Sequence, residues 1–161
     1  MIVRLDDEEK FVRFLYVMAA AAFLMPSLVR SEVKAGAPAD KARVYVYRYK
    51  QYAGKALRPS IYVEDRDVAR IQNGRYVILS LPTGKHSFRS NDKQSEIDLD
   101  LKGGQDYYIR IDIAMGLWKG HGRLTLVQPE QGAGEMKQMK PADSGMINDR
   151  EYLVEDFEPA K

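Results

Sequence analysis

The chain contains no cysteine. That excludes disulfide staples, cysteine-ligated metal centres, thiol catalysis and lipid attachment through an N-terminal cysteine. Histidine is nearly as scarce, with only His86 and His121. They are far apart and have no cysteine beside them, so the spacing of a structural zinc site is missing and no metal is expected. Neither sign of charge is in excess: 25 Lys and Arg stand against 23 Asp and Glu, a formal net charge of +2. The two signs are interleaved rather than gathered into a basic stripe, which argues against a nucleic-acid partner. No G-x-S-x-G nucleophile elbow occurs. Gly132-x-Gly134 does not follow a strand as a dinucleotide motif requires, so no cofactor is expected either. No apolar run reaches the roughly 20 residues of a comfortable membrane helix.

What is present begins with one short apolar run. Phe14 to Val29, "FLYVMAAAAFLMPSLV", carries no charged residue and suits the core of a signal peptide. Val29-Arg30-Ser31 offers small or medium residues for a cut after Ser31. Ala35-Gly36-Ala37 fits the same rule but would leave Pro38 after the cut. Upstream, Arg4, Lys10 and Arg13 are outnumbered by Asp6, Asp7, Glu8 and Glu9, whereas a signal peptide starts net positive. A downstream start or a tolerated acidic extension accounts for that departure. A cleaved signal peptide is the leading reading, ahead of an uncleaved anchor and a buried helix. The expected organisation is a signal peptide or anchor over 1–31, a linker over 32–41, a β-domain over 42–139 and a flexible tail over 140–161.

A chain of 161 residues is long enough to bury a core without staples. Its ten tyrosines suit half-buried strand faces. "ARVYVYRY" alternates Val44 and Val46 against Tyr45, Tyr47 and Tyr49, the period of a strand. "SIYV", "DVARI", "YVILSL", the strand from His86, "SEIDLDL", "DYYIRIDI" and "GRLTLVQ" continue the series. Asn73-Gly74 is a strong hairpin signal and would pair Ile71 with Tyr76 and Ala69 with Ile78. Leu81-Pro82-Thr83-Gly84 fits a type I turn with glycine in the left-handed place. Gly103 to Gln105 reads as a hairpin loop that puts Leu99 opposite Ile109, Ile97 opposite Ile111 and Asp98 opposite Arg110. "PEQGAGEMKQMK" forms a short helix with Met136 and Met139 on one face, although two internal glycines oppose it. The fold class that follows is all-β, an antiparallel sandwich of seven or eight strands.

The stretches "ARVYVYR", "SIYVEDRDVARIQNGRYVILSLPTGKHSF" and "GQDYYIRID" carry a family resemblance. In that order they resemble the bacterial domain-of-unknown-function family 2846. The hairpin and the "LPTGKH" segment are also similar to PEGA-type surface modules and transthyretin-like sandwiches. The resemblance implies a β-sandwich of bacterial envelope or secreted proteins and implies no reaction. One departure is visible: Glu64-Asp65-Arg66-Asp67 stands where the family has Asp-Gly.

Three groups of side chains could carry function. The loop "GLWKGHGR" holds the only tryptophan, Trp118, with Lys119, His121 and Arg123 among glycines. Backbone amides and cations there could cradle an anion, and Trp118 could stack on a sugar. The plainer alternative is a long connection whose tryptophan caps the core. The row Tyr45, Tyr47 and Tyr49, extended by Tyr52 and Tyr62, could form an aromatic platform, or a sheet face covered by another segment. His86 shares a strand face with Phe88, which makes it a partly buried, hydrogen-bonded histidine rather than a base. No catalytic residue is assigned.

The leading functional reading is a non-catalytic binding or interaction module of the periplasm, cell envelope or extracellular space. Its partner would be an envelope protein or glycan, with membrane contact only if the N-terminal segment is uncleaved. One alternative is a small enzyme acting on an envelope carbohydrate or anionic ligand through His121 and Lys119. Another is a structural domain tethered by an uncleaved N-terminal helix.

Overall fold

The computed structural model describes residues 37–91, 95–115 and 120–161. The signal-peptide or anchor segment, most of the linker, Trp118 and Lys119 lie outside them. Among the described residues no helix is long and apolar enough to cross a membrane.

The strands run β1 Lys41–Tyr47, β2 Ser60–Val63, β3 Arg66–Arg70, β4 Arg75–Pro82, β5 Gly84–Arg89, β6 Glu96–Leu101, β7 Asp106–Met115, β8 Gly120–Val127 and β9 Lys140–Pro141. All eight strands expected from alternation are present, and the two-residue β9 is added. Among the described residues one α-helix, α1, spans Pro129–Met136. One sheet has the order β8-β7-β1-β4-β9 and the other β3-β2-β5-β6. Val44, Val46, Leu79, Ile109 and Ile111 of the first sheet form one buried cluster with Ile61, Val63, Val68 and Phe88 of the second. This is the expected sandwich, because each strand turns its apolar alternate residues toward the other sheet. Two of its pairings, β1 with β7 and β4 with β9, are parallel.

Two expected hairpins are not hairpins. Asn73-Gly74 does make a tight turn, with Gly74 at φ +72° and the Arg75 N–H donating to the Gln72 carbonyl at 3.2 Å. It joins β3 of one sheet to β4 of the other, so Ile71 does not pair with Tyr76, nor Ala69 with Ile78. Likewise β6 pairs with β5, placing Asp98 opposite Ser87 and Leu99 opposite His86. β7 instead lies between β1 and β8. The Gly104 N–H donates to the Pro38 and Lys41 carbonyls at 3.2 and 2.9 Å, tying this turn to the start of β1. The physical reason is common to both errors. An inward-outward alternation is satisfied equally by pairing in one sheet and by crossing to the facing one.

The true hairpin at β2–β3 bears on the departure noted above. Glu64 and Asp65 have φ of 51° and 70°, the two left-handed positions of a type I′ turn, with no glycine at either.

The segment from 140 to 161 was expected to be flexible, and the structure shows it strapped across both sheets. The Ala142 N–H donates to the Tyr76 carbonyl, the Ser80 N–H to the Tyr152 carbonyl and the Asn148 N–H to the Val68 carbonyl, at 2.8–2.9 Å. Ala142 and Leu153 are buried in the core. Arg66 pairs with Asp149 at 2.6 Å and Arg75 with Asp143 at 3.1 Å. A sparse set of apolar residues suffices here, because the segment satisfies backbone groups that strands β3 and β4 would otherwise leave unpaired.

Candidate functional site

The site grows from the outer face of the five-stranded sheet. On β1 the residues that alternate with the core valines are Tyr45 and Tyr47. Parallel pairing sets Tyr45 beside Tyr108 and Tyr47 beside Arg110. The Tyr45 and Tyr108 rings stack with centroids 4.7 Å apart and planes 6° from parallel. On β8, antiparallel pairing sets Arg123 opposite Asp112, Thr125 opposite Arg110 and His121 opposite Ala114. His121 and Arg123 are exposed and share the face of the tyrosine row. Two groups that are distant in sequence thus belong to one surface.

Helix α1 covers half of that surface. Tyr45, Tyr47, Tyr108 and Val127 are buried, with Met136 and Met139 packed against them. The tyrosine row is therefore not an open platform at Tyr45 and Tyr47. Burial raises the Tyr45 phenol to about 12, helped by the nearby Asp106. Burial also raises Tyr47, reinforced by its hydrogen bond to Glu135. Tyr49, at 44% exposure, is the member left open, and Tyr52 beyond it is 97% exposed.

Where α1 ends, the covered half gives way to a polar cleft of about 320 Å³ lined by Tyr49, Gln51, Arg110, Asp112 and Glu135. Arg110 is its hub. Its Nε donates to the two Asp112 oxygens at 2.9 and 3.2 Å, and its Nη1 to the two Glu135 oxygens at 3.1 and 3.4 Å. The Tyr47 hydroxyl donates to Glu135 at 2.7 Å, Gln131 donates to Glu135 at 2.8 Å, and Thr125 donates to Asp112 at 3.0 Å. Burial alone would raise the Glu135 carboxyl, but the bonds from Tyr47 and Gln131 and the charge of Arg110 outweigh it and hold it below the ordinary carboxylate range. The far wall is held by the Asn73-Gly74 turn. The Asn73 side chain accepts from the Gln51 N–H and donates to the Gln51 carbonyl, both at 2.9 Å.

Arg110, Asp112, Glu135 and Gln51 did not stand out as site residues in the sequence. Arg110 was read as facing Asp98, which lies in the other sheet. A signal did exist: Arg110 and Asp112 are the outward residues of the β7 alternation, and that face needed only a partner.

A larger cavity of about 580 Å³ opens on the four-stranded sheet, where Glu64, Lys85, His86, Asp98 and Asp100 border it. His86 Nδ1 lies 2.5 Å from the Glu64 carboxylate and Nε2 lies 3.0 Å from the Pro82 carbonyl. Both ring nitrogens face acceptors within the protein, which leaves His86 a structural tie. Among the described residues no tyrosine, phenylalanine or tryptophan lines this cavity, whereas the cleft beside α1 has Tyr49 in its wall.

A match over residues 38–123, more than half of the chain, decides the family. The chain belongs to the DUF2846 family. That family, described as a protein of unknown function, matches residues 38–123, from just before β1 into β8. A protein of Haemophilus influenzae called "Uncharacterized protein" is 26% identical over 103 residues, covering 63% of this chain and 61% of the relative. The chain thus spans about six-tenths of that relative's length. No solved structure matches the chain. The second half of β8, α1 and the C-terminal strap lie beyond the family match, so the helical wall of the cleft is built from residues outside it.

Proposed function

We propose that this chain is an exported bacterial binding module of the periplasm or cell envelope, and that it captures its ligand at the cleft beside α1 without turning it over. The observation that carries the reading is the convergence on one outer sheet face. Exposed Tyr49, the Arg110–Asp112–Glu135 cluster, and His121 and Arg123 come from four separate stretches of sequence. Exposed aromatic rings beside preorganised polar groups are the usual make-up of a recognition surface. The uncharged run from Phe14 to Val29 supports export.

The test is a titration of the full chain with envelope glycans and polyanions, read by emission of the lone Trp118. Saturable change that Lys119→Ala or Arg123→Ala weakens supports capture at this face. Chemical conversion of a bound ligand would move the reading to the enzymatic alternative. Silence across the panel would favour the structural one.

A further inference from the structure

We infer that the ligand of this cleft is a neutral saccharide, an inference that rests on the binding reading above. Charge comes first. Arg110 pairs with Asp112 and Glu135, and Arg123 stands opposite Asp112, so two guanidinium groups offset two carboxylates. An anion would meet the carboxylates and a cation the guanidinium groups, each with no net attraction in return. Hydrogen-bonding capacity comes second. Arg110 spends Nε and Nη1 on the carboxylates, and its Nη2 has no partner among the described residues. Asp112 Oδ1, which takes one bond from Arg110, can still accept. A donor set next to an acceptor is matched by a hydroxyl, which donates and accepts at once. Gln51 adds an amide with both capacities, and the Asn73 clamp holds its backbone at the rim before any ligand arrives. Shape comes third. The half-exposed Tyr49 ring gives a flat apolar wall for the C–H face of a sugar. A volume of about 320 Å³ is at the small end of the roughly 300–1,000 Å³ of small-molecule sites, which suits one or two sugar units of a longer glycan.

The experiment is an amide chemical-shift titration of the full chain. Chitotetraose, cellotetraose and maltotetraose serve as neutral probes and sucrose octasulfate as the anionic one. The expected result is saturable shifts from a neutral probe, centred on Tyr49, Gln51, Arg110 and Asp112. Tyr49→Ala should weaken that binding about tenfold, the value of one aromatic stacking contact, and Gln51→Ala should weaken it too. Both variants should melt as the parent does. Binding of octasulfate alone at these residues overturns the saccharide assignment and leaves the binding reading intact. Neutral-probe shifts centred on another surface overturn it as well. No shift from any probe overturns both.

Discussion

Two glycines in one short helix should respond to the same substitution with opposite sign. Gly132 and Gly134 both lie in α1, and glycine within a helix costs about 0.5–1 kcal/mol relative to alanine. At Gly134 an added methyl meets nothing within 4 Å. Gly134→Ala should therefore stabilise the fold by about 0.5–1 kcal/mol, roughly 2–4 °C in Tm for a domain of this size. At Gly132 the methyl would sit 2.5 Å from Cβ and 2.6 Å from Cδ1 of Tyr108. Tyr108 cannot yield, since its ring is stacked on Tyr45 at 4.7 Å. The helix must lift instead, at an overpacking cost of about 1–3 kcal/mol that exceeds the propensity gain. Gly132→Ala should lower stability by about 1–2 kcal/mol and Tm by roughly 4–8 °C. Lifting α1 also draws Glu135 away from Arg110, so this variant alone should deform the cleft. Thermal melts by circular dichroism on the full chain decide it. Two stabilised variants would show that α1 does not rest on Tyr108, and the cleft would lose its helical wall.

Other perturbations reach the rest of the structure. Arg48 is 1% exposed, and its guanidinium donates to the carbonyls of Leu57 at 2.5 Å and Gly54 at 2.7 Å. Arg48→Met should cost about 2–3 kcal/mol in urea denaturation, because two carbonyls lose their donor at about 1–3 kcal/mol each while removal of a buried charge returns part of it; unchanged stability would refute that tie. Asp65→Gly relieves a left-handed residue at the expense of an exposed pair to Arg89 and of chain entropy, so a net gain of up to about 1 kcal/mol is expected in the same assay. The Tyr45 phenol rises from 10.0 to about 12, so its contribution to stability is complete below pH 10 and is lost as pH climbs through 12. Glu135 runs the other way: its lowered carboxyl contributes above the ordinary carboxylate range and is lost in acid, so Glu135→Gln should flatten the acid limb of a stability–pH profile. Fractionation of native cells should find the chain outside the cytoplasm, and recovery of the full-length chain in the cytoplasm would end the export reading.

The strands were legible because burial on one face writes a period of two into the sequence. Val44 and Val46 against Tyr45 and Tyr47, and Ile109 and Ile111 against Tyr108 and Arg110, could be assigned to faces without coordinates. The turns at Asn73-Gly74 and at Gly84, φ +126°, were legible for a different reason, since few residues tolerate those angles. Partner strands were not legible. Nothing local distinguishes a turn that folds a hairpin from one that passes a strand to the opposite sheet, so the Asp98–Arg110 pairing failed although both residues do point outward. The C-terminal strap was missed for a related reason. Its stability comes from backbone hydrogen bonds to β3 and β4, which side-chain chemistry does not announce.

The cleft was half legible, and its visible and hidden halves differ in kind. Tyr49, Tyr52, His121 and Arg123 stood out because aromatic and cationic residues in polar stretches call for explanation. Arg110, Asp112 and Glu135 did not, because each reads alone as an ordinary surface charge. They become a unit only when the parallel β1–β7 pairing sets Tyr47 beside Arg110 and α1 brings Glu135 onto both. That parallel pairing requires the chain to travel through β2 to β6 before β7 returns to the edge of β1. The cleft is accordingly assembled from segments remote from one another in sequence. The helix that completes it lies outside the family match. A change in α1 would reshape the wall around Arg110 while leaving the β1–β7 pairing in place, so under the proposed binding role the sheet could keep one fold while the cleft changes its ligand.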